Sequence, residues 1–158
     1  MKKALAKIAL HLAAASIAVL AFSAFADEQR ATPPEAEALV KKAIAHYKKV
    51  GREKAVADFM KKDAGYIDRD LYVTVYDYNG VAIAHINPKF VGKNMIDLRD
   101  ENGKYHIKER IELAQKQGSG WQDLAGRVNP KTLKLEAKKM YFERHDNLVF
   151  AAGAYKPN

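Results

Sequence analysis

Five stretches rich in β-branched and aromatic residues fall into two groups, and this order restricts the fold more than any other feature. Residues 71–76 and 81–85 make the first group. They are joined across Asp77-Tyr78-Asn79-Gly80, where Asn-Gly supplies the positive φ angles of a tight hairpin. Residues 121–124, 135–145 and 148–155 make the second group, joined by turns at Asn129-Pro130-Lys131-Thr132 and Asp146-Asn147. Two strands, an insertion and then three strands cannot build an alternating βαβ sheet. The order specifies an α+β fold around one five-stranded antiparallel sheet.

The helical segments supply the layers. Ala31-Thr32-Pro33-Pro34-Glu35 reads as a helix start, with Thr as N-cap, Pro in the first turn and an acid after it. From Glu35 to about Met60 the apolar residues recur at helical spacing: Leu39, Val40, Ala43, Ile44, Tyr47 and Val50, then Ala55, Val56 and Phe59. Gly51 interrupts the run, so this is one long helix or two broken there. A second helix covers about residues 104–117, with Ile107, Ile111, Leu113 and Ala114 turned inward, and Gly118-Ser119-Gly120 ends it. The long N-terminal helix covers one face of the sheet. The loops and helix between the second and third strands must cover the other.

A sheet roofed partly by loops encloses a cavity readily. The period of two along residues 71–76 says which face carries it. Leu71, Val73 and Val75 share a plain apolar face; Tyr72, Thr74 and Tyr76 share one with hydroxyls on an apolar base.

The N-terminus is read apart from this domain. Lys2, Lys3 and Lys7 precede an apolar run from Ile8 to about Phe25, which ends in Ala24-Phe25-Ala26 before Asp27-Glu28. This is the pattern of a secretory signal peptide over residues 1–26, cleaved after Ala26, with residues 27–34 as a short linker and residues 35–158 as the domain. An uncleaved anchor is the competing reading, because the apolar run nearly spans a bilayer. The small-x-small ending and the abrupt polar switch favour cleavage and a periplasmic protein.

Removing the three leader lysines from the 27 basic residues leaves 24 against 19 acidic ones, a net charge of +5 rather than +8. Both signs are interspersed, which is not the concentrated basic face of a nucleic-acid binder. The chain has no cysteine, which removes disulfides, haem attachment, iron–sulfur ligation and thiol catalysis. Histidines at 11, 46, 85, 106 and 145 form no HExxH or HxH pair, and no GxSxG elbow or phosphate-cradling glycine loop is present. Asp97, Asp100 and Glu101 cluster without the Asp-x-Asp calcium pattern. No catalytic residue, metal site or cofactor is expected.

A series of short motifs carries a resemblance. Tyr76-Asp77-Tyr78-Asn79-Gly80, Ala84-His85, Asn87-Pro88, Val91-Gly92-Lys93-Asn94, Asp97-Leu98 and Gly103-Lys104 follow one another. Gly120-Trp121, Asn129-Pro130, Glu136-x-Lys138, Tyr141 and Gly153-x-Tyr155 complete the series. In this order they resemble the single Cache domain family, in its type-2 branch of PAS-like periplasmic sensors, over about residues 35–156. Three positions depart from the family pattern: Arg127-Val128 stand where Trp-Pro is common, Ala137-Lys138-Lys139 where Pro-Lys-Ser is common, and Ile86 where a Pro often follows the hairpin His.

The resemblance implies a small-molecule sensor for short organic acids or related metabolites, in a free-standing exported form that passes a signal to a membrane receptor or histidine kinase. A homodimer through the N-terminal helix is a further expectation, and no nucleic acid is expected. An accessory interaction module with a vestigial pocket, or a hydrolase, are the rival readings.

A buried carboxylate needs a cation or several hydrogen-bond donors. Lys138, at the family's Lys position, is the first candidate; an edge-strand Lys facing water is the plain alternative. Arg127 can clamp a carboxylate with two parallel hydrogen bonds. Tyr76 and Tyr141 offer hydroxyls on strands, Trp121 a wall at the loop–strand junction, and His85 a donor or a pH-dependent charge. Each has the plain alternative of a core or backbone-bonded side chain.

Overall fold

The computed structural model describes residues 30–156, and the proposed signal peptide lies outside them. Helix α1 spans Pro33–Val50 and α2 spans Arg52–Phe59, separated at Gly51. The start of α1 is fixed by Glu35, whose carboxylate accepts from the Thr32 N–H at 2.7 Å and the Thr32 hydroxyl at 2.8 Å. Arg69 closes on the same carboxylate at 2.5 Å.

Two short strands, β1 (Ile67–Asp68) and β2 (Leu71–Tyr72), pair with each other. Strands β3 (Thr74–Asp77) and β4 (Ala82–Ala84) form the hairpin. Helix α3 (His106–Gln117) follows the irregular insertion, and β5 (Ser119–Val128), β6 (Leu135–His145) and β7 (Leu148–Tyr155) form the meander. The main sheet is antiparallel throughout, in the order β4-β3-β7-β6-β5.

Side chains alternate between two cores, as the pleat requires. On one face α1 lays Ala36, Leu39, Val40, Ala43 and Ile44 against the sheet, where Val73, Val75, Leu148, Phe150 and Ala152 complete the cluster. On the other face Ile107, Ile111 and Ala114 of α3 meet Tyr76, Leu124, Met140, Phe142 and Val149. At roughly 25 cal/mol per Å² of apolar surface removed from water, each fully buried Val, Leu, Ile or Phe contributes about 1.5–3 kcal/mol.

Two segments differ from the sequence reading. The run 71–76 is not one strand: it breaks at Val73, whose N–H donates to the Tyr66 carbonyl at 3.3 Å, and its first part pairs locally with β1. The strand expected over residues 121–124 is ten residues long. It continues because a bulge between Leu124 and Arg127 absorbs one extra residue, with Gly126 at φ 51. Among the described residues no helix is long and apolar enough to cross a membrane.

Candidate ligand site

The second face of the sheet is not completely filled. A cavity of about 500 Å³ lies between the sheet, α3 and the segment after β4. Tyr72, Thr74 and Tyr76 line it from β2 and β3, as their alternation predicts, and Lys138 and Met140 line it from β6. His85, Asn87 and Phe90 close one side; His106 and Arg110 of α3 and Arg127 of β5 close another.

Lys138 is 2% exposed, despite its charge. Its ammonium stands 4.1 Å from the ring centroid of Tyr72 and 4.1 Å from that of Tyr155, a double cation–π contact that offsets part of the lost hydration. The Tyr155 hydroxyl donates to the Val128 carbonyl at 2.7 Å, and the two tyrosine hydroxyls are 3.4 Å apart. Burial pulls the Lys138 pKa below its ordinary value, while the neighbouring Tyr72 and Asp70 oppose the shift. Lys138 has room for its stem because Gly153 lies beside it. A Cβ at Gly153 would fall 3.0 Å from Lys138 Cε and 2.7 Å from the Lys139 carbonyl, and would overlap Met140 Sδ.

Arg110 is a site residue that the sequence reading missed. It is 3% exposed and its Nε donates to Gln122 Oε1 at 3.0 Å. Burial, above all, lowers its pKa to about 10, so it is charged at neutral pH. The signal for it was present: position 110 lies three residues after Ile107 and four before Ala114, on the same inward stripe. Arg127 reaches the cavity through the β5 bulge. Leu124 pairs with Lys138, but Arg127 pairs with Glu136, one residue out of the original register. That slip turns Arg127 from the helix-covered face onto the cavity face.

The two histidines are held neutral. The Nδ1 of His85 accepts the Asn87 N–H at 2.9 Å, and its ring packs against Tyr72 and Phe90. Burial and the nearby Lys138 charge lower its pKa to about 4. The Nδ1 of His106 lies 2.7 Å from an Arg127 terminal nitrogen. Burial, then Arg127 and Arg110, lowers its pKa to about 3. A charge on His85 that follows physiological pH does not fit this setting; a neutral donor or acceptor does.

Of the six residues singled out in the sequence, Tyr76, His85, Arg127 and Lys138 come together at this cavity. Trp121 and Tyr141 do not. Tyr141 belongs to the α1-side core, and Trp121 is its cross-strand partner, packed against the same core with ring centroids 5.1 Å apart. Period two explains the correction: on an unbroken β6, Lys138 and Tyr141 are three residues apart and must face opposite ways. The Tyr141 hydroxyl donates to Glu143 at 3.0 Å. Among the described residues no group of three His, Asp or Glu is placed to hold a metal ion.

Comparison with known proteins follows the same line. The family model for Single Cache domain 2 matches residues 6–149. The chain belongs to the single Cache domain family. The match begins just ahead of the N-terminal apolar run and takes in every cavity residue up to Met140. A search of curated proteins finds no match.

Among solved structures, a methyl-accepting chemotaxis protein from Vibrio parahaemolyticus is 25% identical. It aligns over 77% of this chain and 86% of its own with a TM-score of 0.66. The periplasmic sensor domain of a chemotaxis protein is 21% identical over 78% and 90%, with a TM-score of 0.60. A Cache chemosensory domain described for its recognition of carboxylic acids is 16% identical over 78% and 92%, with a TM-score of 0.67. These Cache relatives share the α+β, PAS-like architecture of the chain.

Proposed function

We propose that this Cache domain is an exported sensor that holds a small organic acid in the cavity and passes its occupancy to a membrane partner. The observation that carries the reading is the wall of the cavity: Lys138, Arg110 and Arg127 line it, and among the described residues no aspartate or glutamate does. Cations taken out of water need a counter-charge or a polar partner. A carboxylate entering this space supplies one, in a surrounding of low dielectric where each contact is stronger than in water. The likeness to the Vibrio chemotaxis protein supports the sensing role, and the likeness to the Cache domain described for carboxylic acid recognition agrees with the ligand class.

Transmission uses the two covers. The segment after β4 and α3 close over the ligand, and the sheet that carries Lys138 has α1 packed on its far face. A change in β6 and β7 is therefore presented to α1, the element that leads back to the N-terminus. The same reading makes the site a binding site, with no reacting group to assign.

The test is a thermal-shift screen of the purified protein against short carboxylates, amino acids and neutral isosteres. A ligand of the folded state stabilises by about 2.7 kcal/mol at a hundredfold excess over Kd, several degrees in Tm for a domain of this size. Stabilisation by carboxylates, and not by the matching amides or alcohols, is the expected result. No response to any carboxylate, together with a protein partner bound equally well by a variant lacking Lys138, favours an accessory module with a vestigial pocket.

A further inference from the structure

The carboxylate reading leaves the charge of the cavity unbalanced, and the imbalance says more about the ligand. None of Lys138, Arg110 and Arg127 is in an ion pair among the described residues. The acids behind the wall are engaged elsewhere. Asp70 accepts from the Ala31 N–H at 2.8 Å and from Asn129 at 3.3 Å. Asp100 accepts backbone N–H groups of Asn102, Lys104 and Ala125. Glu109 pairs with Lys104 at 2.6 Å and accepts from Gln122. Arg127 shows the deficit most plainly. Its Nε is buried and has no hydrogen-bond partner among the described residues, which in a folded protein calls for an absent acceptor.

The cations are also spread out. The bulge sets Arg127 opposite Glu136 while Lys138 sits opposite Leu124. Arg127 and Lys138 are thus diagonal neighbours on one face, a relation that sets residues roughly 7–8 Å apart, with their Cβ atoms somewhat closer. Arg110 reaches down from α3 within electrostatic range of both. One carboxylate contacts one such anchor; two carboxylates joined by a short chain span both. The volume is ample: at about 30 Å³ per water, 500 Å³ holds a molecule of that size with several ordered waters.

We propose that the cavity selects a dianion, a dicarboxylate of about four or five carbons, with one carboxylate on Lys138 and the other on the Arg127 guanidinium through its unpartnered Nε. Arg110 neutralises charge between them. Neutral His106 orients Arg127 and adds no repulsion of its own. This rests on the carboxylate reading of the site, and its test separates the two.

The purified full chain is titrated calorimetrically with succinate, glutarate, succinamate and butyrate, which keep the size and change the charge. One of the two dianions is expected to bind at least tenfold tighter than succinamate. Arg127→Gln is expected to bring the dianion down to the level of the monoamide, and Arg127→Lys to restore part of the gap, with unchanged far-UV circular dichroism showing that both variants fold. Equal affinity for succinate, glutarate, succinamate and butyrate overturns the dianion proposal and leaves the carboxylate reading standing. A loss in Arg127→Gln that is the same for dianion and monoamide also overturns it. No binding by any of the four overturns both.

Discussion

The Lys138 ammonium lies 4.1 Å from the Tyr72 ring centroid, inside a cavity wall to which the described residues contribute no acid. A cation held by rings instead of a carboxylate keeps its charge available to a ligand, and the Tyr155 ring at the same distance limits where it can move.

Lys138→Met tests that relationship. Replacing a buried cation that has no counter-charge with an apolar chain of similar length removes its desolvation cost and is neutral or stabilising. The variant is expected to melt at or above the wild-type temperature without ligand and to lose its response to carboxylates. Differential scanning calorimetry with and without ligand reads both effects. A variant that melts lower and still responds contradicts the assignment.

Gly153→Ala probes the same site from behind. The added Cβ meets the Lys139 carbonyl, Lys138 Cε and Met140 Sδ, and overpacking of this kind costs about 1–3 kcal/mol. Chemical denaturation is expected to show that loss, accompanied by weaker carboxylate binding because Lys138 is displaced. A stable variant with unchanged binding removes the spatial role given to Gly153.

Acid destabilises this face. His85 and His106 have folded-state pKa values of about 4 and 3, below the unfolded value of 6.5. The unfolded chain therefore binds more protons between those values, and stability rises with pH through that window. The contribution is full above 6.5 and is lost as pH falls toward 4. For His85 it is at most about 3 kcal/mol. Melting curves from pH 7.5 to 4.5 are expected to fall less steeply for His85→Asn than for the wild type. Parallel curves contradict the neutral, buried ring.

The two residues on the far face make a control. Tyr141→Phe removes a hydrogen bond to Glu143, worth about 1 kcal/mol, and Trp121→Phe trims a ring beside it. Both are expected to lower Tm modestly and to leave the ligand-induced shift in Tm unchanged. A lost shift in either variant returns these side chains to the site.

How far the sequence discloses this arrangement depends on which period governs each residue. The antiparallel sheet, its two covers and the tyrosine-bearing face were legible, because strand grouping and the alternation of Tyr72, Thr74 and Tyr76 are local signals. Placing Lys138 and Tyr141 together ignored the same alternation, which period two would have corrected. Arg110 was obscured by its charge: the helical stripe Ile107, Ile111, Ala114 runs through it, yet composition argues for solvent. Arg127 could not be oriented from sequence. Its face depends on a bulge at Gly126, and without that extra residue it would point at α1. Tyr155 stands in the sequence only as part of the motif Gly153-x-Tyr155, since its role appears only when β7 pairs with β6 and sets it opposite Lys138.

The most direct measurement is a crystal structure of the protein taken from cells without exchange of bound small molecules. The account expects density in the cavity for an acid whose carboxylate oxygens lie within hydrogen-bond distance of Lys138 Nζ and a guanidinium of Arg110 or Arg127. A cavity collapsed onto its own side chains, or filled by a neutral molecule with the three cations turned away from it, contradicts the account.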